Sequence, residues 1–181
     1  VLVFYATQKK HLPSKGEKFM LPIYKNILVT TDLTPNSEHA FKHATILARL
    51  SDARIHLLHI VPEVDASFRS YVSSVMGEGK LDELEQSHEV SAREEIKREL
   101  NLFAEEELKD YPEDLKRFAG TIVGHGHPVA KILQTADEIN ADVIVLGSHG
   151  KGALEYTFLG STAEKLLRKS KRPVFVVPLH A

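Results

Sequence analysis

From residue 26 onward, short apolar runs alternate with segments whose apolar residues recur every three or four positions. Asn26–Thr31 (NILVTT) is a continuous apolar run, the pattern of a strand covered on both faces. Thr34-Pro35 supplies an N-cap and a proline for the first helical position. Ala40, Ala44 and Leu47 then recur at helical spacing, which predicts a helix over Pro35–Leu50. Arg54–Val61 (RIHLLHIV) reads as a second strand. Pro62–Lys80 lacks periodicity, carries Gly77 and Gly79, and reads as a loop. Leu81–Leu108 is a long charged segment with Ala92, Ile96, Leu100 and Phe103 on one stripe and pairs such as Glu95/Arg98 on a solvated face. Phe118–Gly124 is a third strand, and Pro128–Asn140 a helix with Ile132, Leu133, Ala136 and Ile139 on one face. Asp142–Leu146 (DVIVL), Ser161–Lys169 and Pro173–Val177 (PVFVV) complete the pattern as strand, helix and strand.

Strict alternation of short apolar strands with amphipathic helices predicts a doubly wound α/β fold, a five-stranded parallel sheet with helices on both faces. Ligands of such sheets bind beyond the carboxyl ends of the strands, where strand order reverses. The first nineteen residues read differently. Val1–Ala6 is a short β-prone run, and Gln8–Lys18 is polar and basic with Pro13 and Gly16. Residues 1–19 are expected to be an N-terminal extension, introduced with the expressed protein or optional, ahead of a single domain over residues 20–181 that starts naturally at Met20. The alternative is that Val1–Ala6 is a genuine added strand on a sheet edge.

Composition narrows the function. A length of 181 residues suits one domain, and a net charge of −2 lacks the basic excess of a general nucleic-acid binder. The absence of cysteine excludes disulfide scaffolds, thiolate zinc sites and cysteine nucleophiles. The longest apolar runs are about six residues against the ~20 that span a bilayer, which argues against a membrane protein. No secretory leader pattern is present, so a cytoplasmic location is expected.

The most informative stretch is Gly147-Ser148-His149-Gly150, then nine residues, then Gly160-Ser161-Thr162. Gly147 falls where a strand should end and Gly160-Ser161 where the last helix should begin. Glycines let a backbone approach a ligand, and free N–H groups at a helix start attract phosphate. The hydroxyls of Ser161 and Thr162 add donors, so the stretch can form a phosphate cradle; the plainer alternative is a strand-exit turn followed by a serine N-cap. Lys151 either neutralises phosphate or is an idle surface charge. Asp32 has two readings: an acceptor for ribose hydroxyls or an adenine amino group, or a cap for its own downstream turn. Gly124-His125-Gly126 has Val129 at the third glycine position and follows the third strand, so a dinucleotide fingerprint is rejected. No GxxxxGK[ST] sequence is present, and His125 and His127 read as a surface pair rather than a metal site. His56 and His59 alternate across a strand and cannot act together.

The spacing G-x2-G-x9-G-[ST] resembles the nucleotide-binding pattern of the ATP-binding branch of the universal stress protein family. NILVTTD, LLHIVPE, Gly126-His127-Pro128, DVIVLGSHG and KRPVFVVP also resemble that family in order, over roughly residues 24–178. The resemblance implies a flavodoxin-like sheet of order 3-2-1-4-5, with ATP or AMP between the first and fourth strands. It places Gly147, Ser148, His149, Gly150, Gly160, Ser161 and Thr162 on phosphates and ribose, Thr30, Thr31 and Asp32 at the end of the first strand, and Ile60 against adenine. Mg²⁺ or Mn²⁺ is expected through phosphate oxygens and water rather than a protein cage. The expected role is a nucleotide-dependent regulatory or signalling protein of the stress response. The alternatives are a slow ATPase or autophosphorylating enzyme, and a nucleotide-independent interaction module. His149 and the hydroxyls of Ser161 and Thr162 offer no strong acid–base pair, which argues against efficient hydrolysis. The resemblance also implies a homodimer through the last-strand edge Val174, Phe175, Val176 and Val177; the alternative is a monomer in which Pro173, Pro178 and Val1–Ala6 protect that edge.

Overall fold

A computed structural model describes residues 2–4, 23–63, 66–76, 80–149 and 159–178. In chain order the elements are β1 (Leu2–Phe4), β2 (Asn26–Thr31), α1 (Pro35–Ser51), β3 (Arg54–Val61), α2 (Ala66–Met76), α3 (Lys80–Leu108), α4 (Pro112–Leu115), β4 (Phe118–His125), α5 (Pro128–Glu138), β5 (Val143–Gly147), α6 (Ser161–Lys169) and β6 (Val174–Val177). The strands form one sheet of order β1-β6-β5-β2-β3-β4. The five strands from β2 to β6 are parallel and lie in the expected 3-2-1-4-5 order.

The sixth strand departs from the five-stranded expectation. β1 pairs antiparallel with β6, so the second reading of Val1–Ala6, an added edge strand, describes residues 2–4. The same pairing bears on the expected dimer edge: Val174–Val177 already has a strand of its own chain on its outer side.

Alternation along the strands sends side chains to two cores. Ile27, Val29, Ile55, Leu57, Val143 and Val145 meet Ala40, Phe41 and Ala44 of α1 and Leu100 and Ala104 of α3. Leu28, Leu58, Ile144, Leu146, Val174 and Val176 meet Val129, Ile132 and Ala136 of α5 and Ala163 and Leu166 of α6. Burial on both faces is why the strands read as unbroken apolar runs. On α3 the buried stripe is shorter than the sequence suggests: Leu100 is buried, Ile96 and Phe103 half-buried, and Ala92 exposed. The loop reading of Pro62–Lys80 is corrected by α2, which packs against α3. Phe68, Val72, Val75 and Met76 in fact recur at helical spacing in the sequence, a pattern outweighed in the loop reading by the glycines that follow.

The sheet is pinned at the amino ends of its strands by carboxylates. Asp142 accepts the backbone N–H groups of Lys25 at 2.7 Å and Asn26 at 2.9 Å, which starts β2 beside β5. Asp114 of α4 is buried and receives Arg49 of α1, through Nη2 and through Nε at 3.3 Å, together with Arg117 Nη1 at 3.4 Å. Arg117 also reaches Asp52 at 3.1 Å and the Glu113 carbonyl at 2.9 Å, so this cluster joins α1, α4 and the entry to β4. Among the described residues no helix is long and apolar enough to cross a membrane.

Candidate functional site

β2 and β5 are neighbours at the centre of the sheet, and the chain leaves them for opposite faces, toward α1 and α6. Their carboxyl ends therefore diverge and leave a cleft of about 470 Å³, inside the ~300–1,000 Å³ range of small-molecule sites. Thr30, Thr31 and Asp32 form one wall, and Gly147, Ser148, His149, Gly160, Ser161 and Thr162 the other. Ile60 lines the cleft from β3. Gly150 and Lys151 lie outside the described residues. His59, Ser37, Pro62, Pro128 and Ile132 line the cleft as well, though the sequence reading had not marked them. The rule that parallel sheets bind ligands at strand carboxyl ends was the signal that could have found His59 and Pro62.

The amides need separate accounting. Ser148 N–H donates to the Val177 carbonyl at 2.8 Å, and Gly160 N–H donates to the Ser148 carbonyl at 2.7 Å. These two groups stitch the β5 exit to β6 and to the start of α6, so they are not the bare donors the glycine pattern suggested. Gly160 has φ −70° and ψ 154°, so it is not glycine for the sake of a left-handed turn. A Cβ there would lie 3.1 Å from the Ser148 carbonyl oxygen and 3.5 Å from the His149 Cα. Glycine is needed because the helix start presses against the strand exit. Gly160 is also the N-cap of α6, and among the described residues no side chain caps that helix, which replaces the serine-cap alternative. The first-turn N–H groups of Ser161, Thr162 and Ala163 have no helical carbonyl to bond, and these three residues line the cleft.

The opposite wall is held by a tight turn. Asp32 Oδ1 accepts Thr34 N–H at 3.2 Å and Thr34 Oγ1 at 2.5 Å, which is the turn-capping reading of this carboxylate. A carboxylate at this place in the cleft is an acceptor by chemistry, the type of group that a ligand hydroxyl or amine donates to. Thr34 is the N-cap of α1 by backbone, but its hydroxyl serves Asp32, and Ser37 N–H bonds the Thr34 carbonyl instead. Thr31 Oγ1 donates to Ser37 Oγ at 2.7 Å and accepts Leu33 N–H at 3.0 Å. Leu33 has φ 62°, a left-handed conformation costly for leucine, held here by its neighbours' bonds.

His59 Nδ1 lies 2.9 Å from the Thr31 carbonyl. A carbonyl only accepts, so Nδ1 carries the proton in this contact. His56 instead meets the Asn26 side chain at the far end of β3, and burial, then the Arg54 charge, lowers its pKa. Ser148 Oγ lies 3.0 Å from His149 Nδ1, a hydroxyl and a base within one hydrogen bond of each other. Among the described residues no group of three or more His, Asp or Glu could hold a metal ion.

The model of the universal stress protein family matches residues 23–178. Universal stress protein MJ0577 of Methanocaldococcus jannaschii is 32% identical over 162 residues, covering 87% of this chain and 97% of that protein. Universal stress protein YxiE of Bacillus subtilis is 30% identical over 156 residues, covering 86% of this chain and 99% of that protein. The solved structure of MJ0577 superposes with a TM-score of 0.68 at 30% identity, covering 88% and 99% of the two chains. A universal stress protein solved in complex with cAMP shares the fold, with a TM-score of 0.52 at 22% identity over 88% and 98% of the chains. A parallel sheet of this order, matched from the start of its first parallel strand to the end of its last, assigns the chain to the universal stress protein family.

Proposed function

We propose that this chain binds an adenine nucleotide, ATP or AMP, in the β2–β5 cleft, and that occupancy regulates what it presents to partners in a cytoplasmic stress response. The observation that carries the reading is the start of α6, which no described side chain caps, at a cleft whose facing wall is Asp32 and its turn. Phosphate oxygens suit the first-turn amides and the hydroxyls of Ser161 and Thr162. The adenosine end suits Ile60 and Asp32, with Gly147, Ser148 and His149 between. In the glycine pattern, Gly150 and Lys151 extend the phosphate seat. Asp32 is the one carboxylate among the described lining residues and is already engaged in its turn, so Mg²⁺ or Mn²⁺ enters with the nucleotide, on phosphate oxygens and water.

Isothermal titration with Mg-ATP and with AMP tests this; cAMP is included as competitor because a fold relative was solved with it. Saturable heat, lost in Gly150→Val, is the expected result. No heat and no thermal shift at millimolar nucleotide rejects the reading. The Ser148–His149 contact favours one second reading, slow phosphotransfer. In it Ser148 Oγ attacks the γ-phosphorus, its proton passes to His149 Nδ1, and ADP leaves. Stoichiometric labelling of the protein from γ-labelled ATP, abolished in Ser148→Ala, would establish it.

A further inference from the structure

The two edges of the sheet are protected by different devices. On β4, Ile55 pairs with Phe118 and His56 with Gly120, so Ala119 is an extra residue, and Gly120 has φ 122°. A bulge of this kind twists an edge away from further pairing. β6 has no such break. Val174–Val177 pairs with residues 144–147 without interruption and carries no charge, with Pro173 and Pro178 only at its ends. A regular, apolar, uncharged edge is the kind that recruits another strand. In this chain the recruit is its own: Leu2 lies opposite Val176, Val3 opposite Phe175 and Phe4 opposite Val174.

The direction of that pairing matters. β1 runs antiparallel to β6, although every other pairing in the sheet is parallel. Two copies related by a two-fold axis would also bring β6 against β6 antiparallel. The β6 edge is thus already shown to accept an apolar strand in the orientation a symmetric dimer needs. We propose that residues 2–4 are a tethered competitor for this edge: while they are paired the chain is a monomer, and when they are displaced two copies join through Val174–Val177. The proposal rests on the homodimer implied by family resemblance and adds the element that opposes it. Residues 5–25 link β1 to β2, and a segment tethered at that length competes at an effective concentration on the order of millimolar. A second copy at micromolar concentration is therefore outcompeted by about a thousandfold.

Sedimentation equilibrium of the full chain is compared with that of the Val3→Pro/Phe4→Pro variant. Adjacent residues of a strand point their N–H groups to opposite sides, so two consecutive prolines remove at least one ladder donor whatever the phase. Gln8→Pro, beyond residues 2–4 in the sequence, is the control. The expected result is a monomeric parent and control and a dimeric double variant, returned to monomer by excess peptide of residues 1–6. A second variant, Leu2→Asp/Phe4→Asp, releases the strand without proline and covers the case in which the first does not unfold cooperatively. A dimeric parent, or released variants that stay monomeric, overturns the proposal. So does a dimer that the peptide leaves intact. Nucleotide titration of the same samples keeps this result separate from the cleft reading, since loss of heat would leave the edge comparison unchanged.

Discussion

Asp114→Asn removes a charge from the cluster that ties α1 to α4 and the entry of β4. The Asp114 side chain is 3% exposed and is met by Arg49 and Arg117. Breaking a buried ion pair from one side costs about 3–5 kcal/mol, because the remaining charge is left buried. Here the remaining charges are not fully stranded. The Arg49 side chain is 51% exposed and turns to water. Arg117 keeps Asp52 and the Glu113 carbonyl. The expected loss is accordingly about 2–3 kcal/mol, or about 5–10 °C in Tm for a chain of this size. Urea unfolding followed by circular dichroism measures it, with the slope unchanged and the midpoint lowered. Glu113→Gln is the internal control, since its pair with Lys116 is 73% and 71% exposed and should contribute under about 1 kcal/mol. A loss for Asp114→Asn no larger than that of Glu113→Gln would refute the argument that burial gives this carboxylate its weight.

Gly160→Ala should lower stability by about 1 kcal/mol and weaken Mg-ATP binding, because the new Cβ meets backbone at Ser148 and moves the α6 start off the strand exit. Gly124→Ala is the matched control, its Cβ meeting side chains at 3.7 Å or more; equal titration curves for wild type and Gly160→Ala would contradict the close-packing account. The pKa of His43 is lowered by burial first and by His39 second, and that of His56 by burial and then Arg54. The unfolded chain then binds protons at these sites before the folded one does, so stability is full above about pH 6.5 and falls as pH drops below it. Melting temperatures at pH 7.5 and 5.5 should show this drop, and His43→Gln/His56→Gln should shrink it; an undiminished drop in the double variant would assign it elsewhere.

How much was legible follows from where each signal originates. The runs NILVTT, RIHLLHIV and DVIVL announced buried parallel strands because both their faces are covered, and Ala40, Ala44 and Ile132 announced helices because theirs are covered on one. α2 was missed although Phe68, Val72, Val75 and Met76 keep helical spacing, because Gly77 and Gly79 beside it read as loop, and α4 because its four residues are too few to show a period. The site's glycines were legible as a spacing, but not in their duties. Gly160 permits packing against Ser148 rather than approach to a ligand, and the amides of Gly160 and Ser148 are consumed by the protein.

The sequence by itself determined the alternation of strands and helices, the parallel sheet and the chain segments that meet at its carboxyl end, because burial and helix termini leave local patterns in side-chain type. Only the tertiary structure decided which donors remain at that end, and that residues 2–4 lie along Val174–Val177. Those outcomes depend on hydrogen bonds between groups far apart in the chain. Backbone N–H and carbonyl groups are the same in every residue but proline, so no reading of side chains can show in advance which partner each will find.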